Sequence, residues 1–298
     1  MAVEILNDEW RDAAHQRTVP VRIYLPAHAA GPRPVIVFSH GVGGSRSDYA
    51  YLGQHWASQG FVCVHLEHLG SNTAVWQTSR DPLGAMRAAV LDPANAVNRA
   101  LDVRLALDRL EELGRTPGPL AGRLDLARIG AAGHSFGAAT ALAAVGQTLV
   151  DADHREHHLA DARIRAAVLL SPSPPQHANQ LARLLAGVRV PILHITGRND
   201  ESPIGLTPAT ERRAAFDQIR GPEQFLVLFH DADHMTFTDP KPGRTPRGRR
   251  AVVHPLVQTI TTLFWNVFLN GSPVSSFAEQ LAALLANEAA VEHKPPAP

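Results

Sequence analysis

Arg128-Ile129-Gly130-Ala131-Ala132-Gly133-His134-Ser135-Phe136-Gly137-Ala138-Ala139-Thr140-Ala141-Leu142 changes character twice. It begins as a short apolar run, passes through Gly-His-Ser-Phe-Gly, and continues in small residues that favour a helix. The spacing predicts strand, sharp turn and helix, with Ser135 at the apex. A Gly-x-Ser-x-Gly turn forces the serine backbone into a strained conformation, and the flanking glycines avoid clashes between strand and helix. The serine hydroxyl then stands clear of the sheet. The N–H of Phe136, at the positive end of the following helix, faces the position where an oxyanion would form. The plain alternative is a glycine-rich turn between buried elements, and the strand before it and helix after it argue against that.

Outward from this turn, the chain alternates strands and helices. Val35-Ile36-Val37-Phe38-Ser39 is a continuous apolar run, as a strand covered on both faces requires. His40-Gly41-Val42-Gly43-Gly44-Ser45 follows at once and leaves backbone N–H groups free to meet a ligand, with Val42 as the second oxyanion donor. A phosphate-binding loop would need a Lys-Ser/Thr ending or the G-x-G-x-x-G spacing, and neither is present. Ser47 or Asp48 can cap a helix that runs to Gln59. Phe61-Val62-Cys63-Val64-His65-Leu66 is a buried strand, and the loop from Glu67 to Asn72 leaves its end. Residues 73–91 lack a clear period and read as an excursion over the site. Asp92-Pro93 starts a helix to about Leu113, with Val97, Leu101, Leu105 and Leu110 on its apolar face.

Ala166-Ala167-Val168-Leu169-Leu170, Val190-Pro191-Ile192-Leu193-His194-Ile195-Thr196 and Phe225-Leu226-Val227-Leu228-Phe229 are further buried strands. The stretch from Thr18 to Leu25 alternates and reads as a half-exposed edge strand. This order predicts an α/β fold, a mostly parallel central sheet with helices on both faces. The whole chain, 1–298, reads as one domain, with an N-terminal extension over about 1–17 and a frayed tail over about 288–298. Ser171-Pro172-Ser173-Pro174-Pro175 is a stiff loop, and the short span after it leaves no room for a large lid. The site is therefore expected to be rather open.

A serine is a poor nucleophile near neutral pH and needs a base, which needs an orienting partner. Asp200, in the loop Gly197-Arg198-Asn199-Asp200-Glu201, and His234, in the loop after Phe229, follow strands of the sheet that carries Ser135. The order Ser, Asp, His is that of α/β-hydrolases. His234 would take and return the Ser135 proton, and Asp200 would hold its tautomer. Glu201 is the substitute for Asp200 and His230 the competitor for His234. Asp231 and Asp233 flank the histidine, but sequence neighbours rarely reach an imidazole correctly. Gly41, His68, His134 and Trp76 are candidates for contacting substrate.

Composition narrows the remaining classes. Lys+Arg and Asp+Glu are 28 each, so no global charge draws nucleic acid or an anionic membrane. The single cysteine, Cys63, excludes an intramolecular disulfide and fits a buried strand position. The N-terminus has no basic region followed by an apolar run, so no signal peptide is expected and the default is cytoplasmic, unless a leader was trimmed. No window approaches the roughly 18 apolar residues of a membrane helix. His154 and His158 would share one face if their segment were helical, and a solvated surface explains them equally; no metal or cofactor is expected. Residues 241–250 carry five positive charges and are either solvated or aimed at an anionic substrate or lipid surface. Oligomeric state is not legible.

The chain resembles an α/β-hydrolase, and more narrowly the plasma-type platelet-activating-factor acetylhydrolases and the bacterial predicted dienelactone hydrolases grouped with them. The residues that carry the likeness are Phe38-Ser39-His40-Gly41-Val42-Gly43-Gly44-Ser45-Arg46, His65-Leu66-Glu67-His68, Asp102 to Leu110, Gly133-His134-Ser135-Phe136-Gly137-Ala138-Ala139-Thr140 and the Asp200 and His234 loops. The resemblance implies a serine nucleophile, oxyanion N–H groups at Val42 and Phe136, no cofactor, and hydrolysis of carboxylic esters with short or compact acyl groups. Small soluble esters, phospholipids and polyesters all remain open as substrates. True dienelactone hydrolases use cysteine where Ser135 stands, so that label does not give the substrate. Ala138 departs from the second glycine common in relatives. A serine peptidase or amidase of the same fold, and a non-catalytic binding protein on this scaffold, are the rival readings.

Overall fold

Val35 and Val37 point into one apolar cluster, while Ile36 and Phe38 point into another on the opposite side. A strand whose successive side chains are all apolar must be covered on both faces, and that requirement organises the molecule. The computed structural model describes residues 1–28, 31–174, 180–240 and 245–297. Its strands are β1 (Val3–Asp12), β2 (Arg17–Pro26), β3 (Arg33–Ser39), β4 (Val62–Leu66), β5 (Leu124–His134), β6 (Leu149–Val150), β7 (Glu156–His157), β8 (Ile164–Leu170), β9 (Ile192–Asn199), β10 (Gln224–Asp233) and β11 (Ala289–Lys294). Nine of them form one sheet in the order β1-β2-β4-β3-β5-β8-β9-β10-β11. The six from β4 to β10 are parallel; β2 pairs antiparallel with β4 and β11 with β10, and β1 pairs antiparallel with β2 at the edge.

The helices are α1 (Ala50–Ser58), α2 (Ala74–Gln77), α3 (Pro82–Leu91), α4 (Pro93–Arg115), α5 (Phe136–Ala144), α6 (Leu181–Leu184), α7 (Ala214–Gln218), α8 (Arg249–Phe268) and α9 (Val274–Leu285). On one face of the sheet, α4 and α5 bury Val103, Leu107, Leu110 and Leu142. On the other, α1, α8 and α9 bury Trp56, Ile260, Phe264, Trp265 and Leu281. This is the α/β-hydrolase fold. Asp92 starts α4 as expected, its carboxylate accepting the Ala94 N–H at 3.0 Å with Pro93 in the first turn.

Several local expectations are corrected. Residues 1–17, expected as an N-terminal extension, do not lie apart from the sheet, because β1 pairs with β2 from Val3↔Pro26 to Asp12↔Arg17. That pairing makes β2 an interior strand rather than the edge. The tail is not frayed either: β11 pairs with β10 from Gln224↔Lys294 to Phe229↔Ala289, and Lys294 Nζ donates to Phe216 O at 2.6 Å. Neither Ser47 nor Asp48 caps α1. Its first N–H groups, on Ala50 and Tyr51, donate to Asp239 at 2.9 and 3.3 Å, a partner from the far end of the chain. Residues 73–91 contain α2 and α3. His154 lies in the turn of the β6–β7 hairpin at φ 60° and His158 follows β7, so helical spacing does not bring them together. Between β8 and β9 the described residues hold only the short α6. Pro175 of the stiff loop, residues 241–244 of the basic stretch, and residues 29–30 of the loop before β3 lie outside the described residues.

Two glycines permit the serine turn to sit where it does. A Cβ on Gly137 would lie 1.9 Å from the Ser39 carbonyl oxygen, and one on Gly133 would lie 2.1 Å from Gly137 O. Backbone, not a pliable side chain, blocks both. Gly137→Ala is expected to destabilise the fold by about 3 kcal/mol, at the upper end of overpacking costs. Denaturant unfolding beside the parent chain checks this, and equal midpoints would mean β3 and α5 do not approach so closely.

Candidate active site

β5 delivers the chain into Ser135 at φ 56°, ψ −118°, and α5 begins at the next residue. A non-glycine residue held in that region costs on the order of 1–3 kcal/mol, so the surroundings must fix it. They do. The Ser135 N–H donates to Leu170 O at 2.9 Å, and Ser135 O accepts from Ala138 N–H at 2.9 Å and Ala139 N–H at 3.2 Å. The Phe136 N–H is the first of α5 and has no acceptor inside the helix. Just beyond β3, the Gly43 N–H donates to Ser71 O at 2.8 Å and the Gly44 N–H to Gly41 O at 3.2 Å. The Val42 N–H between β3 and these turns is engaged by no backbone acceptor among the described residues.

Asp200 directly follows β9, and His234 directly follows β10. His234 Nδ1 donates to Asp200 Oδ1 at 2.7 Å, and Thr196 Oγ1 donates to Asp200 Oδ2 at 2.7 Å. The loop after β10 is held by its own cap: Asp233 Oδ1 accepts the Thr236 N–H at 2.7 Å, and the Asp233 N–H donates to Thr236 Oγ1 at 3.1 Å. Asp233 is thus spent on the turn, while Asp231 and Glu201 are exposed. Arg250 from α8 clasps the next carbonyl, Met235 O, through Nη2 at 2.6 Å, so part of the basic stretch lies against this loop at the surface.

The residue before the serine ties the two halves together. The His134 and His234 rings are 4.6 Å apart between centroids. His134 Nε2 lies 3.2 Å from His234 O, which can only accept, so that nitrogen carries the proton. His134 Nδ1 then accepts from Tyr49 OH at 2.8 Å. Burial, and after it the nearby His234, push the His134 pKa well down, which keeps the ring neutral. His234 therefore lies beside the serine turn, and its Nε2 is the ring atom without a hydrogen bond among the described residues.

Arg212 was not singled out by the sequence. Its buried guanidinium lies 3.3 Å from Asp200 Oδ1 and donates through Nε to Asp200 O at 3.0 Å and through Nη1 to Ser173 Oγ at 2.7 Å. Burial alone would raise the Asp200 pKa. The hydrogen bond from His234 and the charge of Arg212 outweigh it, and the carboxyl sits below its ordinary value. Arg212 Nη2 also comes within 3.2 Å of His234 Nδ1. A guanidinium only donates, so with the Nδ1 proton committed to Asp200 this is a contact between donors, not a hydrogen bond.

Beneath the Val42 loop lies a sealed polar layer. Arg99, fully buried, donates through Nε to Thr140 Oγ1 at 2.8 Å, through Nη1 to Ser71 Oγ at 2.8 Å and through Nη2 to His40 O. Its guanidinium also covers the Phe136 ring at 4.5 Å. His40 Nε2 accepts the His68 N–H at 3.0 Å, which places the His40 proton on Nδ1, facing Gly41 O at 2.6 Å. His68 joins Asp102 at 2.9 Å and Ser39 Oγ at 3.0 Å, and Arg17 holds Asp102 from the other side. Ser39, His68 and Asp102 thus form a second Ser–His–Asp chain, but they are 2%, 0% and 1% exposed and no substrate reaches them.

Substrate contact is accordingly corrected for three of the four candidates. His68 and His134 are interior, and Gly41 is buried beneath Tyr49 and His134. Trp76 is 38% exposed and donates through Nε1 to Gly43 O at 2.8 Å, bracing the Val42 loop from outside. The space beside Ser135 is instead a cavity of about 480 Å³. Phe136 and Ala139 from α5, Ala96 from α4, Leu149 from β6, Leu184 from α6 and Leu206 after β9 are among its walls.

Residues 8–99 match the family described as platelet-activating factor acetylhydrolase, isoform II. The chain is 27% identical over 179 residues to a platelet-activating factor acetylhydrolase of Cavia porcellus, covering 52% of this chain and 38% of that protein. It is 26% identical over 158 residues to the protein of the same name from Canis lupus familiaris, covering 44% and 36% respectively. The chain is similar to these acetylhydrolases, as the motif resemblance implies, over less than two-fifths of their length. Among the described residues no helix is long and apolar enough to cross a membrane.

Proposed function

We propose that this chain is a serine carboxylic-ester hydrolase, with Ser135 as nucleophile, His234 as base and Asp200 as its orienting partner. Ser135 Oγ attacks the ester carbonyl while His234 Nε2 takes the hydroxyl proton. The carbonyl electrons move to oxygen, where the Val42 and Phe136 N–H groups stabilise the charge. Collapse of the tetrahedral intermediate breaks the C–O bond, and His234 gives its proton to the departing alcohol. Water, deprotonated by His234, then attacks the acyl-serine, releasing the acid and restoring Ser135. Asp200 keeps the Nδ1–H tautomer and stabilises the imidazolium.

The observation that supports this reading most is the 2.7 Å bond between Asp200 and His234 beside a serine held at positive φ. Similarity to acetylhydrolases supports the ester class. Phospholipid and polyester substrates belong to the same proposal. The test is a fluorophosphonate probe with p-nitrophenyl esters, a short-chain phospholipid and a polyester film. We expect one labelled site, lost in Ser135→Ala, and turnover of at least one ester. Turnover of aminoacyl anilides but no ester would make the chain a peptidase. A folded chain that is neither labelled nor active would be a binding protein, and the proposal would fall.

A further inference from the structure

The cavity beside Ser135 has a direction. In ester cleavage the general acid must reach the oxygen that leaves, so the alcohol lies on the His234 side. The cavity is lined by Ser135 and Phe136 but by neither His234 nor Asp200. Its position is therefore the acyl side of the scissile bond. Ala96, Leu149, Leu184, Ile204 and Leu206 give it apolar walls, and Glu211 is the charged residue among its described lining. No described lysine or arginine lines it, so an anionic headgroup has no counter-charge there.

Its size exceeds what an acetyl group needs. At about 30 Å³ for each water-sized group, a volume of about 480 Å³ has room for roughly sixteen. An acetyl group would leave most of that apolar space to water or empty, and a chain of about eight carbons would occupy about half of it. Each methylene moved from water to such walls improves transition-state binding by about fourfold. That gain appears in kcat/KM because the acyl chain stays seated through the tetrahedral intermediate.

Resting on the ester-hydrolase reading above, we propose that this cavity is an acyl-chain pocket and that the enzyme prefers acyl esters of about eight carbons over acetyl esters. This differs from the short or compact acyl groups that the motif resemblance implies, and the acetate-to-octanoate comparison decides between them. The walls come from six separate parts of the chain: the α3–α4 junction, the start of α5, the segment after α5, the loop after β8, α6 and the loop after β9. No single local motif encodes that preference.

The test compares kcat/KM of the full chain on p-nitrophenyl acetate, butyrate, octanoate and palmitate below their micellar concentrations. Octanoate is expected to exceed acetate by at least about tenfold. Ala96→Phe, which fills the pocket from α4, is expected to cut the octanoate-to-acetate ratio at least about tenfold. Leu206→Trp, in a loop, makes the same test if the helical variant folds poorly. Acetate turned over as well as octanoate, or a ratio untouched by both substitutions, overturns the acyl pocket while leaving the esterase reading intact. Loss of fluorophosphonate labelling with no turnover of any ester strikes the esterase reading itself.

Discussion

Ser135→Ala is expected to lower ester turnover by roughly 10⁴–10⁶-fold while the chain remains folded. His234→Ala is expected to cost about as much, and the double variant little more than either alone. That non-additivity is the signature of groups acting as a unit, because a base without its nucleophile has nothing to activate. Asp200→Asn should lose about 10⁴-fold, and the structure gives a local reason. Arg212 Nη2 stands 3.2 Å from His234 Nδ1 and is kept from donating there because Asp200 claims the Nδ1 proton. An amide at 200 can present N–H to the ring instead, and Arg212 then favours an unprotonated Nδ1. The proton would move to Nε2, the atom that must be free to receive it from Ser135. Steady-state kinetics on a p-nitrophenyl ester, with melting curves to verify folding, measure all four variants. Turnover in Ser135→Ala within tenfold of the parent would sink the mechanism.

The parts of this molecule legible in its sequence are those governed by local rules. β3, β4, β5, β8, β9 and β10 announce themselves because strands covered on both faces read as unbroken apolar runs. The serine turn is legible because Gly133 and Gly137 answer to steric contacts within a few residues and one neighbouring strand. Ser135, Asp200 and His234 are legible as residues that follow apolar runs, and they lie just past β5, β9 and β10, with Asp200 and His234 hydrogen-bonded. β1 and β11 escaped notice because edge strands carry polar side chains such as Glu4, Asp8 and Glu292, which look like solvated termini. The cap of α1 escaped because Asp239 arrives from 189 residues away. Buried polar residues were the least legible. Arg99 and Asp102 on α4 are charged residues that no local pattern marks as buried, and His68 reads as a pocket residue, because only the fold supplies the partners that let charges and imidazoles leave water.

Arg99→Met is the second substitution with a large expected effect. Arg99 touches both sides of the proposed oxyanion position: the His40 carbonyl two residues before Val42, and Thr140 and the Phe136 ring on α5. No carboxylate forms an ion pair with it among the described residues, since Asp102 is engaged by Arg17 and His68. Burial pulls its pKa to about 9, so the guanidinium still carries its charge at neutral pH. That positive charge is fixed and dehydrated near developing negative charge, where it acts more strongly than in water. Methionine keeps the length of the side chain but leaves His40 O and Ser71 Oγ without their donor, at about 1–3 kcal/mol for each group left unpaired. Removing a buried charge offsets part of that cost. The expected outcome is a lowered but cooperative melting transition, a kcat reduced by roughly 10²–10³-fold, and a KM within a few-fold of the parent. Arg99→Lys keeps the charge but not the three-way fork, so it should fall between the two. A role in folding alone would lower the melting temperature and the active fraction, yet the active-site titre from the fluorophosphonate would fall with kcat, leaving turnover per labelled site unchanged. Turnover per labelled site that drops in Arg99→Met and partly recovers in Arg99→Lys would establish that this buried cation sets the spacing and field of the two N–H donors.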